Sequence, residues 1–276
     1  MFSMYNFFWL ATLINIQTCF MLFTSFPFLI LLLLTFTLYY LPAFAKLQVE
    51  ILIVSSLIFY SYEQPALVLL LVFSALLNVF VSYYIAFGKT KYKKTFATLG
   101  VILNLSGIAF FKYSPLIGGG FFDTSDGIGH FLLTIPLPIG ISFFTFEGIS
   151  LLVDVYSGKH FDNRKLIPSS LVQHTKRTLF FISFFPHLVS GPILKAHDFY
   201  PQIGIKKFGD IDWNACFRAL IVGYFLKMVC ADNLKDFTFW LAYPYYQGRS
   251  SLDLITMLFG YSFQIFADFA GTLLSR

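Results

Sequence analysis

Charged and amide side chains sit inside apolar stretches of this chain at a handful of places, and those places are where chemistry would occur. Glu147 and Asp154 are seven residues apart, so they share one face of a helix. His187 lies in FFPHLVSGPILKAHDFYPQI (residues 184–203), where Pro186-His187 and then Gly191-Pro192 interrupt an apolar approach. Lys227 and Asp232 stand five apart in LKMVCAD, and Gln264 and Asp268 stand at i and i+4 in YSFQIFADFAG, on one side of an aromatic helix. Ionisable groups at membrane depth are costly. They line a cavity, pair with one another, or move protons. For Glu147 and Asp154 helix-to-helix hydrogen bonding is the plain alternative, with Asp154 near an interface, and for Lys227 and Asp232 the favoured reading is a structural ion pair. His187 reads either as a lining group or proton carrier or as a structural histidine. Gln264 and Asp268 read as cavity lining or packing.

The elements that must position these groups are membrane helices. Hydrophobic residues make up 57% of the chain and charged ones 12%, with a mean hydropathy of +0.73. A soluble domain of this length needs more charge to cover its surface. About 20 apolar residues cross one bilayer, and apolar runs fall at residues 22–42, 49–87 (broken at Glu63-Gln64-Pro65), 95–111, 131–156, 178–194, 214–231 and 252–270. The fold class expected is all-α and polytopic, with roughly six to eight membrane helices. Two proline breaks in residues 184–203 rule out a smooth spanning helix there and predict a re-entrant segment, whose freed carbonyls must be buried in protein or face a water-filled cavity. Residues 237–246, rich in aromatics, suit an interface.

The net charge of +5 points to topology rather than to nucleic acid. Lys89, Lys91, Lys93 and Lys94 form one basic loop and Lys159, Arg164, Lys165, Lys176 and Arg177 another, which the positive-inside rule assigns to the cytoplasm. Residues 115–130 carry Asp123 and Asp126, with Gly118 to Gly120, and read as an outward loop. Lys46 is the first charged side chain, so the N-terminus lacks a secretory basic region and reads as retained. Residues 1–20 read either as an interfacial segment or as an extension ahead of an initiator at Met21. Residues 21–276 read as a single helical membrane domain. Cys19, Cys216 and Cys230 have neither disulfide nor zinc spacing, and no metal site is expected. The residues alone define a helical membrane protein with a polar cavity, not its reaction.

Several segments, in order, resemble the membrane-bound O-acyltransferase superfamily, in the bacterial branch of alginate O-acetylation proteins, peptidoglycan O-acetyltransferases and teichoic acid D-alanyl-transfer proteins. They are MLFTSFPFLILLLLTFTLYYLP from Met21, VSSLIFYSYEQP, PLPIGISFFTFEGISLLVDVYSGK (136–159), the 184–203 segment, KMVCADN and YSFQIFADFAG. The resemblance favours Met21 as the start. It implies transfer of an acyl group, usually acetyl, from a cytoplasmic thioester donor such as acetyl-CoA through a funnel to a cell-envelope glycan or peptidoglycan. It also implies an accessory acyltransferase on the periplasmic or extracellular side, no bound cofactor, and a multi-pass place in the inner (cytoplasmic) membrane. By this resemblance Pro186, His187, Gly191, Pro192, Gln264 and Asp268 belong to cavity walls or packing.

The family's catalytic histidine lies in a segment beyond the position of Arg276, and none of His130, His160, His174, His187 or His197 matches it. After Gly271 the chain reads TLLSR where the family continues. The expectation is a domain incomplete at its C-terminus and inactive alone. The competing classes are a transporter or channel, against which stands the absence of internal repetition, and a non-enzymatic fragment.

Overall fold

The computed structural model describes residues 25–88, 92–122, 127–158, 167–188 and 194–274. Residues 1–24, with Cys19 and Met21, lie outside them, as do Lys89, Lys91, Asp123, Asp126, Lys159, His160, Arg164, Lys165, Gly191, Pro192 and Arg276. Among the described residues the secondary structure is helical throughout. Five segments are long and apolar enough to cross a membrane: Pro42–Tyr62, Pro65–Phe87, Lys93–Phe121, Trp213–Leu241 and Ser251–Gly271. The chain is a multi-pass membrane protein.

Helix α1 (Phe26–Tyr40) begins under a Ser25 cap whose Oγ accepts from the Phe28 N–H, and pairs with α2 (Gln48–Glu63). Their contact includes a buried hydroxyl pair, Thr35 Oγ1 to Ser55 Oγ at 2.8 Å. Such bonds hold helices together in lipid, where apolar contact is no better than lipid itself. Helix α2 ends at Gln64, and after a 3₁₀ turn at Pro65–Leu67 the chain returns as α3 (Val68–Phe87). Pro65 ends the helix one residue early because proline disfavours helical geometry in the residue before it.

Two helix boundaries differ from those expected. Helix α4 (Lys93–Phe121) continues through Pro115 instead of ending near Phe111. Proline there removes only the bond to the Phe111 carbonyl, a loss membrane helices tolerate, and the extra turns pack on α5 (Gly127–Thr134). Helices α4 and α5 thus take up residues 115–121 and 127–130 of the stretch expected as an outward loop. The run 131–156 is not one helix. It breaks over 135–140, at Pro136, Pro138 and Gly140, before α6 (Ile141–Ser157). Gly140 has φ +71°, and a Cβ there would lie 2.4 Å from the Leu188 carbonyl oxygen, so the turn needs glycine twice over. Helices α1, α6 and α7 (Leu171–Ser183) are too short to count as spans by length, which accounts for five among the described residues where six to eight were expected.

Helix α6 is the centre of the bundle, packed between α3 and α4 and against α7. Its buried face supplies Leu151, Leu152 and Val155, joined by Phe181, Ile182 and Leu188. Close approach to α3 depends on Gly148, where a Cβ would fall 2.4 Å from Asn78 Nδ2. Two buried amides, Asn78 and Asn104, exchange hydrogen bonds across α3 and α4 at 3.1 and 3.0 Å.

After α7 come a short turn α8 (Phe185–Leu188), a return limb with α9 (Ala196–Phe199), and then α10 (Trp213–Tyr224). A π-helical turn (Phe225–Ala231) joins α10 to α11 (Asp232–Thr238), and α12 (Ser251–Leu274) packs on all three. Of residues 237–246, expected at an interface, the first two close α11 and the rest enter 3₁₀ turns (Phe239–Leu241 and Tyr245–Gly248), with Trp240 and Tyr243 exposed.

Gly148→Ala should destabilise the bundle by about 1–3 kcal/mol through overpacking against Asn78. Gly107→Ala, at a position in α4 with no atom within 4 Å of the added carbon, should instead be neutral or stabilise by about 0.5–1 kcal/mol. Thermal unfolding in detergent distinguishes them.

Candidate functional site

The site is built where the broken segment crosses α6. Helix α7 enters from the end of the bundle that carries the basic residues: Lys176 Nζ pairs with Glu50 in the first turn of α2, and Tyr83 near the end of α3 donates to the Ser169 carbonyl at 2.8 Å. The segment rises to Leu188, level with Gly140 at the far end of α6. It then returns, so that Lys206 meets Gln48 at the start of α2. Both limbs open at the same end. The link between them, with Gly191 and Pro192, lies outside the described residues, so the structure places Pro186 and His187 of that motif and not the other two.

Glu147 and Asp154 do share one face of α6, and each meets a histidine of this segment. Glu147 is fully buried and His187 3% exposed, with Oε1 3.0 Å from Nε2. The same nitrogen is 2.9 Å from the Phe181 carbonyl. A carbonyl only accepts, so Nε2 carries the proton and faces both oxygens. Neither oxygen of the buried Glu147 carboxylate makes a hydrogen bond among the described residues, so its close approach to the His187 ring is the contact that ties it to the segment. Two turns along α6, Asp154 Oδ2 accepts from His197 Nδ1 at 2.9 Å and from the His197 backbone N–H at 3.2 Å. One helix face therefore holds both limbs.

Two glutamines secure the flanking irregular backbone. Gln48 donates to the Lys206 carbonyl at 2.8 Å and accepts from its N–H at 2.9 Å. Gln64 donates to the Leu137 carbonyl at 3.1 Å and accepts from the Ile139 N–H at 2.9 Å. Each side-chain amide takes the place of a neighbouring backbone.

Sequence reasoning set His174 aside and did not reach Ser82, Thr178 or Tyr200. The structure buries all four in one network: Ser82 Oγ lies 2.8 Å from His174 Nε2, Thr178 Oγ1 3.4 Å from Nδ1, and Thr178 Oγ1 2.9 Å from the Tyr200 hydroxyl. The detectable signal was the i, i+4 spacing of His174 and Thr178 on α7.

The other polar positions gather elsewhere, in the hairpin of α10 to α12. Lys227 sits in the π-helical turn, with Nζ 3.1 Å from Asp232 Oδ1 and 2.6 Å from Asp268 Oδ1. Gln264, one turn earlier on α12, accepts a short hydrogen bond from Thr238. Gln264 and Asp268 thus face α11 and the π-helical turn in an antiparallel polar ladder. A one-turn π-helix is frequent at functional sites, and this one carries an ammonium near the middle of a 29-residue span.

The chain aligns with two groups of curated O-acetyltransferases over most of its length. It is 31% identical to a peptidoglycan O-acetyltransferase of Helicobacter pylori, over 83% of this chain and 46% of the relative. It is 31% identical to a probable alginate O-acetylase of Pseudomonas aeruginosa, over 91% of this chain and 47% of the relative. The chain belongs to the membrane-bound O-acyltransferase family. A teichoic acid D-alanyltransferase of Bacillus subtilis matches over 48% of the chain at 27% identity and 32% of its own length. No protein-family model matches the chain, and no solved structure matches it. The chain spans about half the length of the curated relatives it matches.

Removing one partner of a buried pair leaves the other uncompensated. Glu147→Ala should therefore cost about 1–3 kcal/mol, and His187→Ala should add much less on that background than alone, a coupling that a thermal double-mutant cycle measures. Lys227→Met should destabilise the hairpin of α10 to α12, because two carboxylates lose their shared ammonium. Asp232→Asn with Asp268→Asn should restore most of that loss, read by limited proteolysis of residues 239–248.

Proposed function

We propose that this chain contributes to O-acyl transfer onto an envelope polymer, with the re-entrant segment on α6 as part of the scaffold through which the acyl group passes. The observation that carries this is the alignment with peptidoglycan and alginate O-acetyltransferases across 253 and 265 residues, which includes α6 and the segment stapled to it. The donor is an acyl thioester, acetyl-CoA or another, presented on the cytoplasmic side, and the acceptor is a hydroxyl of a glycan or peptidoglycan. An accessory acyltransferase on the outer side receives the group or completes the transfer. The membrane is the cytoplasmic (inner) one.

The orientation rests on charge. Lys93, Lys176, Arg177, Lys206 and Lys207 all belong to the end of the bundle where α2 begins and α6 ends. The positive-inside rule puts that end in the cytoplasm, and the re-entrant segment then opens toward the donor. Attack of a hydroxyl on a thioester carbonyl breaks the carbon–sulfur bond, forms an ester, and delivers a proton to the leaving thiolate. That chemistry needs a base near the hydroxyl and hydrogen-bond donors for the developing oxyanion. Glu147 and Asp154 act on it by holding the segment in place. They are positioning residues, and the base is assigned to none of the residues here. Gln264 and Asp268, with Lys227 and Asp232, hold the hairpin that completes the scaffold.

The test is expression of the protein carrying this chain in a strain stripped of its own envelope O-acetyltransferases. Base-labile acetyl esters should appear on the envelope polymer, and Glu147→Ala should lower their yield several-fold. Membrane-inserted protein without new esters would contradict the proposal, as would uptake of an intact solute with no ester formed.

A further inference from the structure

Between α11 and α12 the chain gathers an aromatic cluster that the packing of the bundle does not use. Residues 239–249 read FWLAYPYYQGR, and Phe239, Trp240, Tyr243, Tyr245 and Tyr246 are each between 40% and 52% exposed. The rings lean on one another. Phe239 and Tyr245 have centroids 5.0 Å apart, Trp240 and Tyr245 5.6 Å, and Tyr243 and Tyr246 6.3 Å. Arg249 lies over the Trp240 ring at 4.7 Å. The backbone is turned by the Ala242 and Arg249 N–H groups, which donate to the Phe239 and Tyr246 carbonyls at 3.1 Å. A surface already ordered in this way loses little freedom when it binds.

We propose that this cluster binds the glycan chain of the envelope polymer. The proposal rests on the reading of this chain as part of an envelope O-acyltransferase, and three observations point to a sugar. First, α10 starts at the end where Gln48 clamps Lys206, so one 29-residue span later the cluster stands at the outer end, on the acceptor's side. Its irregular backbone keeps it out of the hydrocarbon. Second, ring faces lie beside hydrogen-bonding groups: among the described residues, the hydroxyls of Tyr243, Tyr245 and Tyr246 and the Trp240 indole N–H bond to no other residue. A sugar ring presents a C–H face that stacks on aromatic rings and hydroxyls that pair with such groups, whereas a lipid tail would use the rings alone. Third, residues 239–249 hold no acidic side chain, and Arg249 is their one charge, which suits an anionic or neutral polymer. The segment is also smaller than the roughly 20–30 residues a side of a stable protein interface.

Calorimetric titration of the protein carrying this chain, held in lipid nanodiscs, with soluble mannuronate oligomers and with N-acetylglucosamine–N-acetylmuramic acid oligomers tests this. One of the two should bind saturably. Tyr243→Ala with Tyr246→Ala should weaken that binding about tenfold or more, while Tyr243→Phe with Tyr246→Phe, which keeps the rings, should weaken it about threefold or less. No saturable binding of either oligomer, or binding unchanged in the alanine pair, which would leave the rings as interfacial anchors only, would overturn the proposal. Ester formation is scored separately. Esters without oligomer binding would contradict the role of the cluster alone, and binding without esters the acyl-transfer reading alone.

Discussion

Residues 184–203 break their helix where Phe185, His187 and Leu188 are buried inside the bundle, and this one constraint organises the centre of the molecule. A broken helix frees carbonyls and N–H groups, each of which costs several kcal/mol in hydrocarbon unless it finds a partner. Helix α6 supplies those partners from one face. Glu147 meets His187 on the rising limb, while Asp154 takes both the ring and the backbone of His197 on the returning one. Gln48 and Gln64, at the two ends of α2, do the same for backbone at Lys206 and over residues 137–139. The charges are therefore tolerated in the bundle because the irregular backbone needs them there.

The C-terminal hairpin follows a different logic. Helices α10 to α12 pack mainly on one another. They meet the body through aromatic contacts of Phe208 and Trp213 with Phe36 and through the Gln48 clamp on Lys206. The hairpin keeps its register through the polar ladder of Thr238 with Gln264 and of Lys227 with Asp232 and Asp268. Much of its apolar surface, including Phe217, Ile221, Phe259 and Phe266, is exposed, as lipid or further protein at membrane depth requires.

Much of this was legible in the residues. Apolar runs located α1 to α4, α10 and α12, Pro65 marked the turn between α2 and α3, and seven-residue spacing put Glu147 and Asp154 on one face. Partners were not legible. Nothing local connects residue 147 to 187 or 154 to 197, because those pairings depend on a segment that turns back and not on periodicity. Proline misled in both directions. Pro115 proved compatible with a continuous helix because α5 packs on the turns beyond it, whereas Pro136 and Pro138 broke a run whose hydropathy alone read as one span. The environment of His174 was not legible either, because the Ser82 hydroxyl that meets its ring lies 92 residues away in sequence.

The central claim is that the acidic face of α6 holds the re-entrant segment inside the protein. Hydrogen–deuterium exchange of the membrane-embedded chain, comparing the parent with a Glu147→Ala, Asp154→Ala double variant, tests it most directly. The account predicts that amides of residues 185–188 and 194–203 lose their protection while those of α2, α3 and α4 keep theirs. Unchanged protection across the segment, or its loss throughout the bundle at once, would contradict it.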